Sequence, residues 1–226
     1  MLKEKMEDLK QDLIQFASLV EDMIDKSIKG LIDKDSKLLE EVIRRDEPRA
    51  NQFDNQLDEE CTMLIAQFEP VARDLRTILM VLKMNHDLER MADHAVNISE
   101  SALFLIGRPD LKPIKEILPM AQGAVLMLKE SIDSFIREDV DLAKKVLESD
   151  GVVDDLGEKI LAEVTEYMKG KRDGIKRSLN IIRISHNLER IGDLSSNIAE
   201  EVIFIVEGKD IKHNKNNINA PSDYTV

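Results

Sequence analysis

The chain writes nearly the same fifteen residues twice: residues 86–100 read HDLERMADHAVNISE and residues 186–200 read HNLERIGDLSSNIAE. A repeat at a period of one hundred in a chain of 226 residues implies a duplicated unit of about half the length. Whatever fold the first half adopts, the second should adopt again.

The periodicity of each half is helical. Leu9, Leu13, Phe16, Val20, Ile24, Ile28 and Leu31 recur at spacings of three and four. Asp35 reads as the N-cap of a second helix carrying Leu38, Leu39, Val42 and Ile43, with a kink expected at Asp46, Glu47 and Pro48 because proline removes a helical hydrogen bond. The apolar pattern resumes through Phe53, Leu57, Leu64 and Phe68. Pro70 suits the first turn of a third helix, which runs to about Ile106 and stops where Gly107 takes a left-handed cap ahead of Pro109.

The second half repeats the sequence of elements. One helix runs through Ile117, Val125, Leu128, Ile132 and Ile136. Asp139 caps the next, in which Leu142, Val146 and Leu147 match Leu38, Val42 and Ile43, and Asp150 with Gly151 marks a second weak point. Leu156, Ile160, Val164 and Tyr167 continue it, and a sixth helix runs from about Ile175 to Gly208. The expected fold is all-α: two tandem three-helix bundles, residues 1–108 and 109–208, joined near residues 107–112, with a disordered polar tail at 209–226.

Within the doubled motif, eight of the fifteen residues are identical. Only Leu88 and Ile98 of these lie on the packing stripe Met84, Leu88, Met91, Ala95, Ile98, Ala102 and Leu105, whose counterpart is Ile184, Leu188, Ile191, Ser195, Ile198, Val202 and Ile205. The other six, His86, Glu89, Arg90, Asp93, Asn97 and Glu100, fall within an arc of about 100° on the opposite side. A merely solvated face accepts almost any polar residue, with Arg90 and Asp93 as an ordinary ion pair. Here the polar face is what the copies share. It also has apolar borders: Leu75, Ile78, Leu79 and Leu82 before it, Leu103 and Phe104 after it, and in the second copy Ile175, Leu179 and Ile182, then Ile203 and Phe204. That pattern reads as a site.

The chemistry follows from spacing. Glu89 and Asp93 are four residues apart, which puts Cβ atoms about 6 Å apart on one helix face, where two carboxylates repel unless a cation lies between them. Asp54 and Asp58 form a second such pair on the preceding helix. Four converging carboxylates make a hard-oxygen site for Mg²⁺, Mn²⁺, Ca²⁺ or iron. In the second half the pair is Glu189 and Asp193, with Asp150, Asp154 and Glu158 as candidate partners and a register shifted by about one residue. Asn97, Glu100, Asn197 and Glu200 lie further along the same arcs, and His86 and His186 stand one turn before the acidic pairs, where each would offer a nitrogen ligand.

The tandem LERMADHAVNISE and LERIGDLSSNIAE, together with EPVARDLR at 69–76, resemble the PhoU family of accessory regulators of bacterial phosphate uptake, over about residues 5–207. The resemblance implies two three-helix bundles and repeated E(D)-x-x-x-D metal motifs, which map onto Glu89 with Asp93, Glu189 with Asp193 and Asp54 with Asp58; Asp154 with Glu158 keeps the spacing but ends in Glu. It further implies a non-enzymatic negative regulator, often dimeric, that links the ATPase subunit of a phosphate ABC transporter to a sensor histidine kinase.

Composition narrows the rest. A net charge of -13 disfavours nucleic acid and anionic lipid. No apolar run approaches the ~18 residues that span a bilayer, and the N-terminal MLKEKMEDLKQD lacks the apolar core of a secretory signal. The single cysteine, Cys61, excludes an internal disulfide and fits a reducing cytosol; its place near a packing stripe reads as core. His94, matched by Leu194, reads as incidental, the ten methionines as core filler, and the isolated glycines form no phosphate loop. Two rival readings remain. A carboxylate-bridged di-metal oxidase needs Glu-x-x-His, but Ala92 and Gly192 stand three residues after Glu89 and Glu189. A helical scaffold without a site would bind no metal at all.

Overall fold

The computed structural model describes residues 1–109, 114–170 and 174–208. The expected tail at 209–226 and part of the expected joint at 107–112 lie outside the described residues. Among the described residues every regular element is helical: α1 (Leu2–Ile32), the short α2 (Ser36–Glu41), α3 (Glu47–Phe68), α4 (Ala72–Ile106), α5 (Ile114–Arg137), α6 (Val140–Gly170) and α7 (Ile175–Glu207). The two repeats are α1–α4 and α5–α7.

Each N-cap read from the sequence forms. The Asp35 carboxylate accepts from Lys37 N–H at 2.9 Å, and Asp139 accepts from the N–H groups of Asp141 and Leu142, each at 3.0 Å. In both repeats the residue before the cap takes the left-handed conformation, Lys34 with φ 55° and Glu138 with φ 52°.

Between α2 and α3 the chain makes a π-helical turn, Val42–Asp46, in which Glu47 N–H reaches back five residues to the Val42 carbonyl. The expected kink at Pro48 is therefore a widened turn. Pro48 follows it inside the first turn of α3, where its missing N–H costs little. Lys26 of α1 holds this turn: its ammonium lies 2.8 Å from the fully buried Asp46, 3.1 Å from Glu41 and 2.6 Å from Asp22.

The wide turn explains the register between the repeats. The caps Asp35 and Asp139, and the buried pairs Leu39 with Ala143 and Val42 with Val146, are 104 residues apart. Past the turn, the buried pairs Ala50 with Val153, Leu57 with Ile160 and Cys61 with Val164 are 103 apart. The first repeat carries one extra residue, and the π-turn absorbs it.

Three expectations need correction. Pro70 lies in the connection rather than in a helix: Glu69 ends α3 in the left-handed region (φ 45°), and α4 opens after the extended Val71. Gly107 ends α4 with φ -82°, outside the left-handed region, because Arg108 N–H closes a tight turn to the Leu105 carbonyl instead; Gly208 does take that cap after α7 (φ 71°). Asp150 and Gly151 do not interrupt α6, which is continuous because a lone glycine costs a helix only about 1 kcal/mol.

All seven residues of each packing stripe are buried. α4 packs on α1 and α3, and α7 on α5 and α6. The repeats also pack on each other, α4 against α7 and α1 against α5, so their buried apolar side chains merge into one core. Phe16 of α1 stacks on Phe53 of α3 at 5.5 Å.

Candidate metal centre

In the first repeat, α3 and α4 run side by side with Asp54, Asp58, Glu89 and His86 gathered between them. Asn85, fully buried, ties the α3 pair together. Its amide Nδ2 donates to Asp54 Oδ1 at 2.9 Å, to Asp58 Oδ1 at 3.0 Å and to the Asp54 carbonyl at 3.0 Å. Burial pushes the Asp54 carboxyl above its usual range, and the Asp58 charge adds to it. Burial likewise raises Glu89, helped by the charges of Asp93 and Asp54. Each group is partly withdrawn from water and faces like charge. The ordinary Arg90–Asp93 ion pair of a merely solvated face does not form; the Arg90 guanidinium lies 3.6 Å from Asp87.

The donor set suits a hard divalent cation. Asn85 Oδ1 has no hydrogen-bond partner. It is the amide Nδ2, not this oxygen, that meets the two carboxylates. Among the described residues, no three His, Cys, Asp or Glu side chains are arranged so that one ion would touch them all. Holding an ion at this centre would therefore draw on water beside the carboxylates. Asn85 escaped the sequence reading because the second copy has Ser185 there, so it was not among the shared residues.

The second repeat is built differently. Ser185 donates to Met120 Sδ at 3.4 Å. Facing it on α6 is Gly157, where an added Cβ would lie 3.5 Å from Glu189 Oε2 and 3.6 Å from Ser185 Oγ. A groove of about 180 Å³ is lined by Gly157, Glu158, Leu161, Ile182, Ser185, His186 and Glu189. Given the offset of 103, Gly157 and Leu161 occupy the places of Asp54 and Asp58. Of the expected α6 residues, Glu158 lines this groove, Asp154 is exposed and Asp150 has an oxygen beside Gly192. Arg190 lies 3.1 Å from Asp193 and pairs with it.

The shared arc divides along its length. Asn97 and Glu100 are engaged across the repeat interface by Arg183 of α7, which hydrogen-bonds Asn97 and lies 3.1 Å from Glu100. His94, read as incidental, joins the repeats: its Nδ1 lies 2.8 Å from Asn187 Oδ1. Asn197 is half-buried and Glu200 is interaction-bearing, both on α7. Cys61 is a core residue, with burial and the nearby Asp58 and Glu60 charges pushing its thiol up to about 12.

The PhoU domain model matches residues 13–102 and again 117–202, one match per repeat. A protein of Aquifex aeolicus named phosphate-specific transport system accessory protein PhoU homolog is 37% identical over 212 residues, which is 94% of this chain and 96% of that one. The crystal structure of PhoU from Pseudomonas aeruginosa superposes with a TM-score of 0.89 at 35% identity, over 92% of this chain and all of that one. That of the phosphate transport system regulatory protein PhoU from Streptococcus pneumoniae shares the fold, with a TM-score of 0.86 at 23% identity over 93% of this chain and 99% of that one. With the domain matched in both repeats and relatives aligned over nearly the whole length, the chain belongs to the PhoU family.

Proposed function

We propose that this protein is a metal-binding regulatory adaptor of phosphate uptake, a negative regulator that works by association rather than catalysis. In this reading it links the ATPase subunit of a phosphate ABC transporter to a sensor histidine kinase, in the cytoplasm, as a homodimer. The observation that carries it is the alignment, over nine-tenths of the chain, with relatives named as accessory proteins of phosphate-specific transport. No helix among the described residues is long and apolar enough to cross a membrane.

The divalent ion, Mg²⁺, Mn²⁺ or iron, belongs between α3 and α4. Asp54, Asp58, Glu89 and Asp93 supply carboxylates there, with His86 beside them. Bound cation would relieve their repulsion and clamp two helices together, presenting a less mobile surface to a partner and lowering the ordering cost of association.

Deleting the protein should switch on phosphate-starvation genes in phosphate-rich medium. Pull-down from replete and starved cells should bring the transporter ATPase and the sensor kinase with it. A deletion strain that represses normally would refute the regulatory role, and the absence of both partners would refute the linkage.

A further inference from the structure

The first half of α1 and the last turns of α3 leave a groove of about 540 Å³ between them. None of its lining residues belongs to the acidic centre between α3 and α4. The floor is apolar: Leu64 is buried, Phe68 is half-buried, and Met63 is 52% exposed. The rim is acidic. Asp12 and Glu60 share the amide of Gln56, whose Nε2 donates to Asp12 Oδ2 at 3.2 Å and to Glu60 Oε1 at 2.9 Å. Among the described residues, then, these two carboxylates meet an amide rather than a cation. Asp8 stands beside them with Lys5 at 3.4 Å, an exposed pair that holds it only weakly. Such a groove suits an extended polar peptide that carries positive charge and a few apolar side chains.

The helix pairings bring the end of α7 to the same end of the molecule. α1 and α3 are antiparallel, with Phe16 stacked on Phe53 and Asp12 beside Gln56. α3 and α4 are antiparallel, with Asp58 beside Asn85 and Cys61 beside the Ile78 carbonyl. α4 and α7 are antiparallel, with His94 beside Asn187 and Asn97 beside Arg183. Gly208 therefore lies at the end where α3 finishes and α1 and α4 begin. Glu138 gathers that end, 2.5 Å from Arg73 of α4 and 4.0 Å from Lys10 of α1. Neighbouring helix axes lie about 8–10 Å apart, so passing from α7 beyond α4 to the groove takes roughly 20 Å, which about six residues of extended chain span. From Gly208 the sequence continues as KDIKHNKNNINAPSDYTV. Its first seven residues carry three lysines against one aspartate, in a chain whose net charge is -13, and Ile218 and Tyr224 follow.

We propose that residues 209–226 dock in this groove on the same chain, with Lys212 and Lys215 against Asp12 and Glu60 and with Ile218 and Tyr224 over Met63 and Phe68. A segment this polar cannot bury a core of its own and gains order on a surface that offers both charge and apolar contact. While docked, it holds the groove against any other basic peptide. The proposal is independent of metal binding and of the regulatory reading above.

The test uses the full chain, which has no tryptophan and two tyrosines, one of them Tyr224. Tyr167→Phe leaves Tyr224 as the sole tyrosine, and acrylamide quenching of its fluorescence reads its exposure. The reference is a synthetic peptide of residues 209–226. Quenching should be several-fold weaker in the chain than in the peptide and should not change with protein concentration. Lys212→Glu with Lys215→Glu, which alters no described helix, should expose Tyr224. Asp12→Lys with Glu60→Lys should do the same, and combining all four should restore protection. Quenching equal to that of the peptide would overturn the docking. Protection that survives both charge reversals would place the segment elsewhere and overturn the groove. Failure of the combined variant to regain protection would overturn the pairing of these lysines with these carboxylates. Protection lost on dilution would show that the segment occupies a second copy, which overturns docking within one chain.

Discussion

His94 of the first repeat and Asn187 of the second are joined at 2.8 Å across the contact between α4 and α7. The direction of the bond is fixed by its surroundings. Asn187 Nδ2 donates to the Arg183 carbonyl at 2.6 Å, so its Oδ1 faces the imidazole and His94 Nδ1–H donates. Burial lowers the His94 pKa from its ordinary 6.5, outweighing the opposing effect of this hydrogen bond.

A histidine depressed in this way contributes stability above its unfolded value of 6.5. That contribution is lost as pH falls through the lower folded value. Thermal unfolding between pH 8 and about pH 5 should therefore show a decline that His94→Gln flattens. An identical slope in the variant would assign the decline to other groups.

The acidic centre should behave with the opposite sign. Asp54 and Glu89 are raised above 3.8 and 4.5, mainly by burial. Their favourable contribution is present below those unfolded values and is lost as pH rises through the folded ones. In metal-free protein, Glu89→Gln should raise stability near neutrality by a few tenths of a kcal/mol, since it removes a like-charge pair with Asp93. The gain should vanish toward pH 4. A loss of several kcal/mol instead would make Glu89 structural.

Lys26 is expected to be the costliest charge to remove. Asp46 is wholly buried and lies 2.8 Å from the Lys26 ammonium, while Arg49 stands off at 3.6 Å. Lys26→Met strands that carboxylate and should cost about 3 kcal/mol in denaturant unfolding. Adding Asp46→Leu should recover much of the loss. No recovery in the double variant would show that Lys26 acts through Asp22 and Glu41.

Two helical glycines should respond oppositely to alanine. A Cβ at Gly30 would lie 2.6 Å from Leu39 Cδ2 and 3.1 Å from the Asp35 carbonyl, so Gly30→Ala should destabilise by about 1–3 kcal/mol. At Gly157 the tightest neighbour is the flexible end of Met120, at 3.3 Å. There the helix propensity gained should prevail, stabilising by up to about 1 kcal/mol. Chemical denaturation of the two variants separates the cases.

Most of the helical architecture was legible because apolar spacing reports which face of a helix is buried. Leu9 through Leu31, and both seven-residue stripes, are buried as read. Spacing does not report which neighbour a polar face meets. Asn97 and Glu100 looked like part of a metal arc, yet Arg183 engages them from the other repeat, and His94 looked incidental although it crosses the same interface. Both contacts are separated by more than eighty residues in sequence, so no local pattern records them. On the α6 side of the second groove Glu158 lines the groove, while the places of Asp54 and Asp58 fall at Gly157 and Leu161. Asp154 and Glu158 match the spacing of Asp54 and Asp58, but residues that align by spacing do not align by position once the register changes.

The π-turn at Val42–Asp46 bears on how such a duplicated chain can change over time. Inserting one residue in an ordinary helix turns everything beyond it by about 100°, carrying core residues to solvent and surface charges inward. Here the surplus is taken up within one wide turn, so Ala50, Leu57 and Cys61 still point inward as Val153, Ile160 and Val164 do. The segment is a place where the lineage can gain or lose a residue without scrambling its interior. Length variation among descendants of this gene should therefore collect at that turn, and the two halves can drift apart in register while keeping a common core.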